Sequence, residues 1–366
     1  MFLIVGGDKR NLLLAKKLSE NGEKVNVFGF DRINTDFFAN NRIREITNEE
    51  ELEDEFEKIE KEEIEKSRKT KSTENETQEK NIIVGPIPFS VDGENLYAPF
   101  NSTKISINIL KGEKFIAGKI PLDFYKETIT NEKENAVEKN INKIGNINEN
   151  KEKNKIDKNK SSNNIRNINE NKEENLRNER NERNERNERK ISFPIDIMKD
   201  ENFTIANTIP TAEGAIAKAI EETEFTLDNT NVMVIGYGRV GKTLCYKLKQ
   251  LNANVYAVDK DETELARAKT YGINAVNIKE ININICKMDI VFNTVPSLIL
   301  SKEKLILMST ETLIIDISSK PYGTDFVSAK RLGIKAIQYS GIPGKIAPDF
   351  EAEKIIEFLV QQKMTK

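Results

Sequence analysis

The chain has 366 residues, a net charge of −3, two cysteines and no histidine. A charge this close to zero gives no electrostatic attraction to nucleic acid or to an anionic membrane, and no apolar run approaches the roughly 20 residues of a membrane-spanning helix. The lack of histidine excludes Ser-His and Cys-His nucleophiles, imidazole metal sites and a histidine acid or base. The apolar start, residues 1–8, is too short for a signal peptide and has no basic region, so we expect a cytoplasmic protein.

Two charged segments interrupt the chain. Residues 131–189 consist almost entirely of Asn, Lys, Glu, Arg and Ile and end in a tandem Asn-Glu-Arg repeat. Such a composition buries too little apolar surface to offset the entropy of ordering, which predicts disorder or at most a transient charged helix. Residues 60–80 are predicted to behave in the same way. Loop-closure entropy grows by only about 0.6 kcal/mol per doubling of length, so a folded domain tolerates such inserts.

Outside these inserts, the N-terminal part alternates strands with helices. Apolar residues recur at helical spacing after the first strand, and Gly22 ends that helix. Thr208 or Thr211 is a candidate N-cap for a helix that begins at Pro210. The predicted strands are Phe2–Val5, 24–29, 81–84, Phe115–Ala117 and 203–206, and the predicted helices are 11–20 and 210–223.

The C-terminal part repeats this alternation more clearly. Buried-strand runs are followed by amphipathic segments. Neither cysteine has a metal or redox spacing, and we expect both Cys245 and Cys286 to be small buried apolar side chains. The predicted strands are Asn231–Ile235, Asn254–Asp259, 275–277, 289–293, 312–316 and Lys335–Gln338, and the predicted helices are 240–252, 262–271, 325–332 and 350–361.

Strands that alternate with helices are typical of α/β proteins with parallel sheets. We therefore predict an α/β fold with two Rossmann-like, doubly wound parallel-sheet domains and a disordered charged insert. The first domain, residues 1–225, carries both charged inserts and is the candidate substrate domain. The second, residues 226–345, is predicted to bind NAD(P). Residues 346–366 are predicted to form a C-terminal helix that could pack on either domain.

A glycine-rich turn joins the first strand of the second domain to the following helix. Gly236 permits the turn, Gly238 lets the backbone approach a pyrophosphate, and Gly241 lets the helix pack closely on the strand. The first helical residues, Arg239 and Val240, lie where free N–H groups and a positive partial charge attract a diphosphate. This arrangement predicts a dinucleotide site.

The residue that ends the next strand bears on the choice of cofactor. Asp259 lies where a carboxylate accepts hydrogen bonds from the ribose hydroxyls of NAD. A carboxylate also repels a 2′-phosphate, which favours NAD over NADP, although Lys260 would soften the repulsion. The predicted cofactor is therefore NADP or NAD.

An earlier glycine turn follows the first strand of the chain. Gly6-Gly7-Asp8 lacks the third glycine and an acidic residue at the proper offset. We expect it to join strand and helix without binding a dinucleotide. It could still contact substrate at the mouth of the cleft.

Three loops follow strands of the second domain and are rich in hydroxyl, Gly and Pro residues: 292–297, 316–325 and 340–348. Ligands of doubly wound sheets bind at the carboxyl ends of the strands, so we expect these loops to line the cleft. Lys320 and Lys345 would suit a small carboxylate substrate. The predicted cofactor contacts in these loops are Thr294, Val295 and Pro296.

Separated motifs along the chain point to one family. They are TIPTAEGAI at 208–216, the glycine turn, NTVPS at 293–297, SKPYGTDF at 319–326 and GIPGKIAP at 341–348, with VGGDKR at 5–10. Together these motifs resemble the A subunit of dipicolinate synthase. The resemblance covers essentially the whole chain apart from the two charged inserts.

The resemblance implies a sporulation enzyme of the mother-cell cytoplasm. Such an enzyme oxidises a dihydrodipicolinate-type compound to pyridine-2,6-dicarboxylate, passes a hydride to NADP and acts with a flavoprotein-like B subunit. The chain departs from the family pattern in the insert 131–189 and in Asp259. It also has Lys320 where an arginine is expected, which keeps the charge and loses the bidentate fork.

Positions at the strand ends assign candidate roles in this reaction. Lys320 is a candidate catalytic residue, and water, Asp316 or Asp325 could accept the proton. Lys345 and Thr294 would join Lys320 in holding the two substrate carboxylates. The candidate substrate contacts are Thr211, Glu213, Ser297 and Lys345.

Two other functions are compatible with the sequence. One is an NAD(P)-dependent amino- or hydroxy-acid dehydrogenase of the same two-domain plan, which the helix at 211–223 favours and the missing histidine disfavours. The other is a non-enzymatic NAD-binding scaffold whose charged insert recruits a partner. Deletion of 131–189 would distinguish a scaffold, which loses its partner, from an enzyme, which keeps its rate.

Overall fold

Parallel strands in two separate sheets form the framework of the protein. The computed structural model describes residues 1–69, 81–111, 113–121, 124, 194–362 and 364–365. Each sheet has six strands and separates two apolar clusters, which confirms the predicted α/β class with two Rossmann-like sheets. The predicted disorder of 131–189 concerns residues outside these ranges. No helix within the ranges has both the length and the apolar character needed to cross a bilayer.

The first sheet contains β1 (Phe2–Val5), β2 (Val25–Phe28), β3 (Arg44–Ile46), β4 (Ile82–Val84), β5 (Phe115–Ala117) and β6 (Ile195–Asp196). Its order is β3-β2-β1-β4-β5-β6, with every neighbouring pair parallel. All four residues of β1 are buried, as expected for a parallel strand covered on both faces. The turn that follows β1 therefore opens at the middle of the sheet edge.

The helices of the first part are α1 (Lys9–Glu20), α2 (Thr35–Asn40), α3 (Glu49–Lys69) and α4 (Glu201–Ala206). The sequence predicted disorder or at most a transient charged helix at 60–69, and the disorder alternative was wrong, because α3 continues through these residues. Its buried residues Leu52, Phe56 and Ile59 recur at helical spacing, and Glu and Lys are good helix formers. Residues 70–80 lie outside the described residues.

A second prediction in this part was also wrong. Residues 203–206 form the end of helix α4, not a strand. The carboxylate of Asp200 accepts a hydrogen bond from the Phe203 backbone N–H at 2.7 Å and caps the helix. Phe203 is buried while Ile205 is exposed, so burial on one face of a helix outweighs local β propensity.

The second sheet contains β7 (Asn231–Ile235), β8 (Asn254–Asp259), β9 (Asn274–Asn277), β10 (Ile290–Asn293), β11 (Leu313–Asp316) and β12 (Lys335–Gln338). Its order is β12-β11-β10-β7-β8-β9, again all parallel. The register pairs Ile235 with both Val258 and Asn293, and Asn293 with Asp316. The loops that follow these strands therefore emerge side by side.

The helices of the second part are α5 (Thr208–Glu222), α6 (Arg239–Gln250), α7 (Glu262–Thr270), α8 (Ile281–Asn284), α9 (Lys302–Leu305), α10 (Phe326–Arg331), α11 (Ile342–Ile346) and α12 (Pro348–Gln361). Short 3₁₀ turns occur at Ile107–Leu110, Ile197–Lys199, Ile278–Glu280 and Ile285–Lys287. The segment 340–348, predicted as a loop, contains α11, which begins after Gly341 with Pro343 in its first turn.

The C-terminal helix α12 packs on the first sheet's helix α1. Its residues Ala352, Ile355 and Leu359 are buried in the same apolar cluster as Leu14 and Leu18 of α1. The sequence left open which domain this helix packs on, and in the structure it packs on the first. The chain consequently crosses between the two sheets twice, once before α5 and once before α12.

The two cysteines differ in environment. Cys245 is buried, as predicted, and burial raises the pKa of its thiol. Cys286 is exposed, so the prediction of a buried side chain was wrong there. It lies in the 3₁₀ turn after α8, whose apolar neighbour Ile285 takes the inward position instead.

Candidate functional site

The glycine turn after β7 has the geometry that a dinucleotide site requires. Gly236 has φ +93°, a conformation that favours glycine. A Cβ on Gly241 would lie 1.9 Å from the carbonyl oxygen of Gly236, so only glycine lets α6 approach the strand. A Cβ on Gly238 would meet nothing within 4 Å, so the backbone there faces open space. This is the cradle that a pyrophosphate needs.

The start of α6 is available for an anion. Its N-cap Gly238 makes no side-chain cap hydrogen bond, so the first-turn N–H groups are uncapped. Arg239 is exposed and its guanidinium pairs with Glu201 at 2.7 Å, while Val240 is half-buried. The predicted cofactor residues of this turn are therefore brought together around uncapped backbone donors.

Asp259 at the end of β8 is held beside the glycine turn. One carboxylate oxygen accepts a hydrogen bond from the Tyr237 backbone N–H at 2.7 Å, and the other accepts from the N–H groups of Lys260 and Asp261 at 2.7 and 3.0 Å. The carboxylate is thus fixed where ribose hydroxyls could donate to it. Lys260 is exposed beside it.

The loop after β10 lies against the glycine turn. The hydroxyl of Thr294 donates to the carbonyl oxygen of Ile235 at 2.9 Å, and a Cβ on Gly236 would lie 2.4 Å from that hydroxyl. Val295 is half-buried in the same contact, while Pro296 and Ser297 are exposed. Thr294 and Val295 therefore line the turn, and the next two residues extend into solvent.

Asp316 holds its own loop and is not available as a proton acceptor. It is fully buried, and its two oxygens accept four hydrogen bonds from Ser318, Gly323 and Thr324 at 2.6 to 3.0 Å. With every approach taken by a donor, the carboxylate fixes the loop that follows β11. These contacts favour a structural role for Asp316 over the predicted role of a base.

Asp325 has a comparable structural role. It is the N-cap of α10 and accepts a hydrogen bond from the Ser328 backbone N–H at 2.9 Å. Hydrogen bonds from the Ser328 side chain and backbone lower the pKa of Asp325. Lys320, by contrast, is exposed, and within the described ranges no carboxylate pairs with it. Of the three candidate catalytic residues, Lys320 is the most exposed, Asp325 is half-buried and Asp316 is fully buried.

The predicted substrate contacts are dispersed. The Thr211 hydroxyl donates to the Asn207 carbonyl at 2.7 Å, and Glu213 pairs with Lys247 at 2.8 Å on an exposed surface. Neither Thr208 nor Thr211 caps α5, because Asn207 occupies that position. Lys345 donates to the Ser340 carbonyl at 2.7 Å, which ties its ammonium to its own loop.

Asp8 and Arg10 form an ion pair at the first glycine turn, across from the second domain. The guanidinium of Arg10 donates to both oxygens of Asp8 at 2.9 Å and also to the carbonyl of Ile87. A Cβ on Gly344 would lie 2.7 Å from both partners, so helix α11 packs directly on the pair. The two motifs at 5–10 and 341–348 thus meet in the cleft.

A buried carboxylate on α12 completes this cluster. Glu351 is 1% exposed, with Arg10 at 4.0 Å. With its amide nitrogen turned inward, Asn207 donates to both Glu351 oxygens at 2.9 Å. Burial raises the pKa of Glu351 to about 7, which Arg10 opposes. Asn207 lies in the first connection between the two sheets, and Glu351 lies just after the second. The cluster therefore links the two connections.

Lys119 bridges the cleft from the other side. It follows β5, and its ammonium donates to the Ser319 hydroxyl of the second domain at 3.3 Å. Sequence reasoning missed Lys119 and Glu351, since neither lies in a motif. Arg10 lies in a motif, VGGDKR, whose resemblance to the family could have marked it.

The fold and the turn define a class. An uncapped glycine turn with a carboxylate at the end of the next strand of a Rossmann sheet, beside a second Rossmann-like sheet, is the plan of an NAD(P)-binding, dehydrogenase-like protein. Residues 232–287 match the TrkA-N domain family. NAD(P) binding by the second domain is thereby confirmed.

The chain is similar to the A subunit of dipicolinate synthase. It is 38% identical to that protein from Bacillus subtilis (strain 168) over 154 residues, 42% of this chain and 52% of the relative, so the match spans about half of the relative's length. The crystal structure of the same protein from Bacillus halodurans superposes with a TM-score of 0.66 at 22% identity, covering 100% of this chain and 98% of that one. The B. subtilis structure gives 0.65 at 22% identity, covering 99% and 94%. The resemblance that the motifs indicate is confirmed, and the structures share the fold.

Proposed function

We propose that the protein is the A subunit of a dipicolinate synthase, which oxidises dihydrodipicolinate to pyridine-2,6-dicarboxylate. The substrate loses two hydrogens: one leaves a ring carbon as a hydride for NAD(P), and the other leaves as a proton while the ring becomes aromatic. The observation that carries the proposal is the convergence of the family-like motifs on one cleft. Gly344 lies against Asp8 and Arg10, and Gly236 against Thr294.

A further glycine contact supports the same convergence. A Cβ on Gly323, in the motif at 319–326, would lie 2.2 Å from the Asn293 amide, in the motif at 293–297. A Cβ on Gly214, in the motif at 208–216, would lie 2.2 Å from Ile342, in the motif at 341–348. These glycines are where one motif packs on another, so the motifs form a single structural unit.

The side chains of the cleft would bind and orient the substrate. When bound, NAD(P) supplies the hydride acceptor, and the glycine turn with Asp259 holds its diphosphate and ribose. Lys320, exposed on the loop after β11, would bind a substrate carboxylate. Because Asp316 and Asp325 are committed to their own loops, we assign the proton to water, and aromatisation supplies the driving force.

The proposal includes a partner and a location. The B. subtilis relative is one of the lettered subunits of its synthase, which implies a second polypeptide, and we propose a flavoprotein-like B subunit for this chain. We further propose that the complex acts in the mother-cell cytoplasm of a sporulating bacterium. Neither nucleic acid nor membrane has a role in this function.

Enzymatic turnover of dihydrodipicolinate tests the proposed function. Purified chain, with and without the candidate B subunit, is mixed with enzymatically generated dihydrodipicolinate and either NAD or NADP. Nicotinamide reduction and the ultraviolet band of the pyridine product are followed together. We expect both signals to rise in parallel. Cofactor binding without either signal would overturn the synthase assignment and favour another dehydrogenase or a scaffold.

A further inference from the structure

We propose that Lys119 binds one carboxylate of the substrate and selects a dicarboxylate over a monocarboxylate. The inference rests on the proposed function and adds a specificity-determining residue from the first domain. Lys119 follows the carboxyl end of β5, and Ser319 follows β11, so the two residues face each other from the strand ends that line the cleft.

The backbone around Lys119 is fixed in an unusual conformation. Lys119 has φ +58°, which is rare for a residue with a Cβ and is found where surrounding structure enforces it. Both oxygens of Asp196 hold the turn by accepting the N–H groups of Lys119 and Ile120 at 3.0 and 3.3 Å. A Cβ on Gly118 would lie 2.7 Å from Ile87, so the preceding residue is closely packed. The turn therefore fixes the backbone from which this side chain extends.

The hydrogen-bond partner of the Lys119 ammonium is a neutral group. The ammonium donates to the neutral Ser319 hydroxyl at 3.3 Å, and in the part of the chain that the structure describes no carboxylate forms an ion pair with it. Burial lowers the pKa of Lys119, Arg10 lowers it further, and the nearby Asp196 carboxylate acts in the opposite direction. A cation held in this way is stabilised when an anion enters.

Two cations from the two domains would suit a doubly charged ligand. The partner of Lys119, Ser319, is next to Lys320, which the proposed function assigns to a carboxylate. Lys119 and Lys320 belong to different sheets, so an anion that engages both also links the two domains. A pyridine ring with carboxylates at positions 2 and 6 offers one to each lysine, whereas pyridine-2-carboxylate offers only one.

Calorimetric titration of the full chain tests the inference. Pyridine-2,6-dicarboxylate and pyridine-2-carboxylate are the probes, with NAD(P) at saturation, and the variants are Lys119→Met and Lys119→Gln. Lys104→Met, at an exposed lysine of the same domain, is the matched control. We expect both Lys119 variants to bind the dicarboxylate about tenfold to a hundredfold more weakly. Their affinity for the monocarboxylate and for NAD(P) should stay within about threefold.

Each outcome separates the two proposals. Unchanged dicarboxylate affinity in both Lys119 variants, or no dicarboxylate binding by the unaltered chain, overturns the role of Lys119. The proposed function is judged by the turnover assay instead. A chain that binds the dicarboxylate through Lys119 without forming the pyridine product would keep this site and lose the synthase assignment. Thermal unfolding of each variant confirms that it is folded, and two different replacements prevent one folding defect from deciding the result.

Discussion

The two glycine turns of the molecule follow the central strands of sheets that have the same strand order. After β1, Gly7 is packed so closely on Asn11 that a Cβ would lie 2.2 Å from its side chain. Asp8 caps α1 by accepting the Arg10 backbone N–H at 3.0 Å. After β7, Gly238 faces open space and leaves its helix uncapped.

The comparison shows what separates a dinucleotide site from a scaffold turn. Both turns begin with a glycine of positive φ, Gly6 at +66° and Gly236 at +93°. The difference lies in the helix start: at the first turn the Asp8 side chain already accepts one backbone N–H, and it is itself paired with Arg10. At the second turn a diphosphate can take that place. The following predictions would break or sharpen this contrast.

The largest expected effect is at the closed turn, the one after β1 whose helix start is already capped by Asp8. Arg10→Met leaves Asp8 and the buried Glu351 without their cation, so the free energy of unfolding should fall by about 3 kcal/mol. Denaturant unfolding measures this, with Lys9→Met at the exposed neighbouring position as the control. NAD(P) affinity should be unchanged. A loss of stability no larger than that of the control would show that the ion pair does not hold this turn.

The next largest effect is at the open turn, the one after β7 whose helix start is uncapped. Gly238→Val introduces a side chain into the open space where a diphosphate would lie, so NAD(P) affinity should fall by about a hundredfold, or about 2.7 kcal/mol. Because a Cβ there meets no protein atom, the unliganded melting temperature should not change. Gly241→Ala is the matched variant: its Cβ overlaps the Gly236 backbone, so both affinity and melting temperature should fall. Equal destabilisation by the two variants would contradict the geometry.

A smaller effect concerns pH. Burial raises the pKa of Glu351 from 4.5 to about 7, so the folded chain binds a proton that the unfolded chain releases between these values. Stability should therefore fall as pH rises from 4.5 to 7, by about 2 kcal/mol from this group. Glu351→Gln should remove that part of the slope in urea unfolding at pH 5 and pH 8. Glu353→Gln, exposed on the same helix, should keep it, and identical slopes for all three chains would contradict the account.

The smallest effect is on cofactor choice. Asp259→Asn keeps one side-chain oxygen to accept from Lys260 and Asp261, and it removes the charge that repels a 2′-phosphate. We expect the ratio of NADP to NAD affinity to rise about tenfold, or about 1.4 kcal/mol. Titration with NADH and NADPH, followed by nicotinamide fluorescence, measures the ratio. No change would mean that Asp259 does not face the ribose.

Sequence patterns predicted the second sheet better than the first. Strands Asn231–Ile235 and Asn254–Asp259 were predicted with their observed bounds, because long apolar runs end at glycine or aspartate. The prediction was wrong for some short elements. Residues 203–206 have strand-forming side chains, but a cap at Asp200 and burial of Phe203 make them helical. In α3, a stripe from Leu52 to Ile59 lies just before the charged residues that composition alone assigned to disorder.

The cofactor residues could be predicted and the substrate residues could not. Gly236, Gly238 and Gly241 follow from local spacing, which is all that the turn requires. Asp316 illustrates the limit: its place at a strand end was predicted, but the four donors that surround it come from the folded loop. Lys119 depends on a contact 200 residues distant in sequence, for which the chain carries no local signal.

Calorimetric titration of the full chain with NAD and NADP tests the central contrast most directly, because it counts the sites. One dinucleotide should bind per chain, and Gly238→Val should weaken that binding about a hundredfold. Two sites per chain, or an unchanged affinity in Gly238→Val, would contradict the assignment of an open turn after β7 and a closed one after β1.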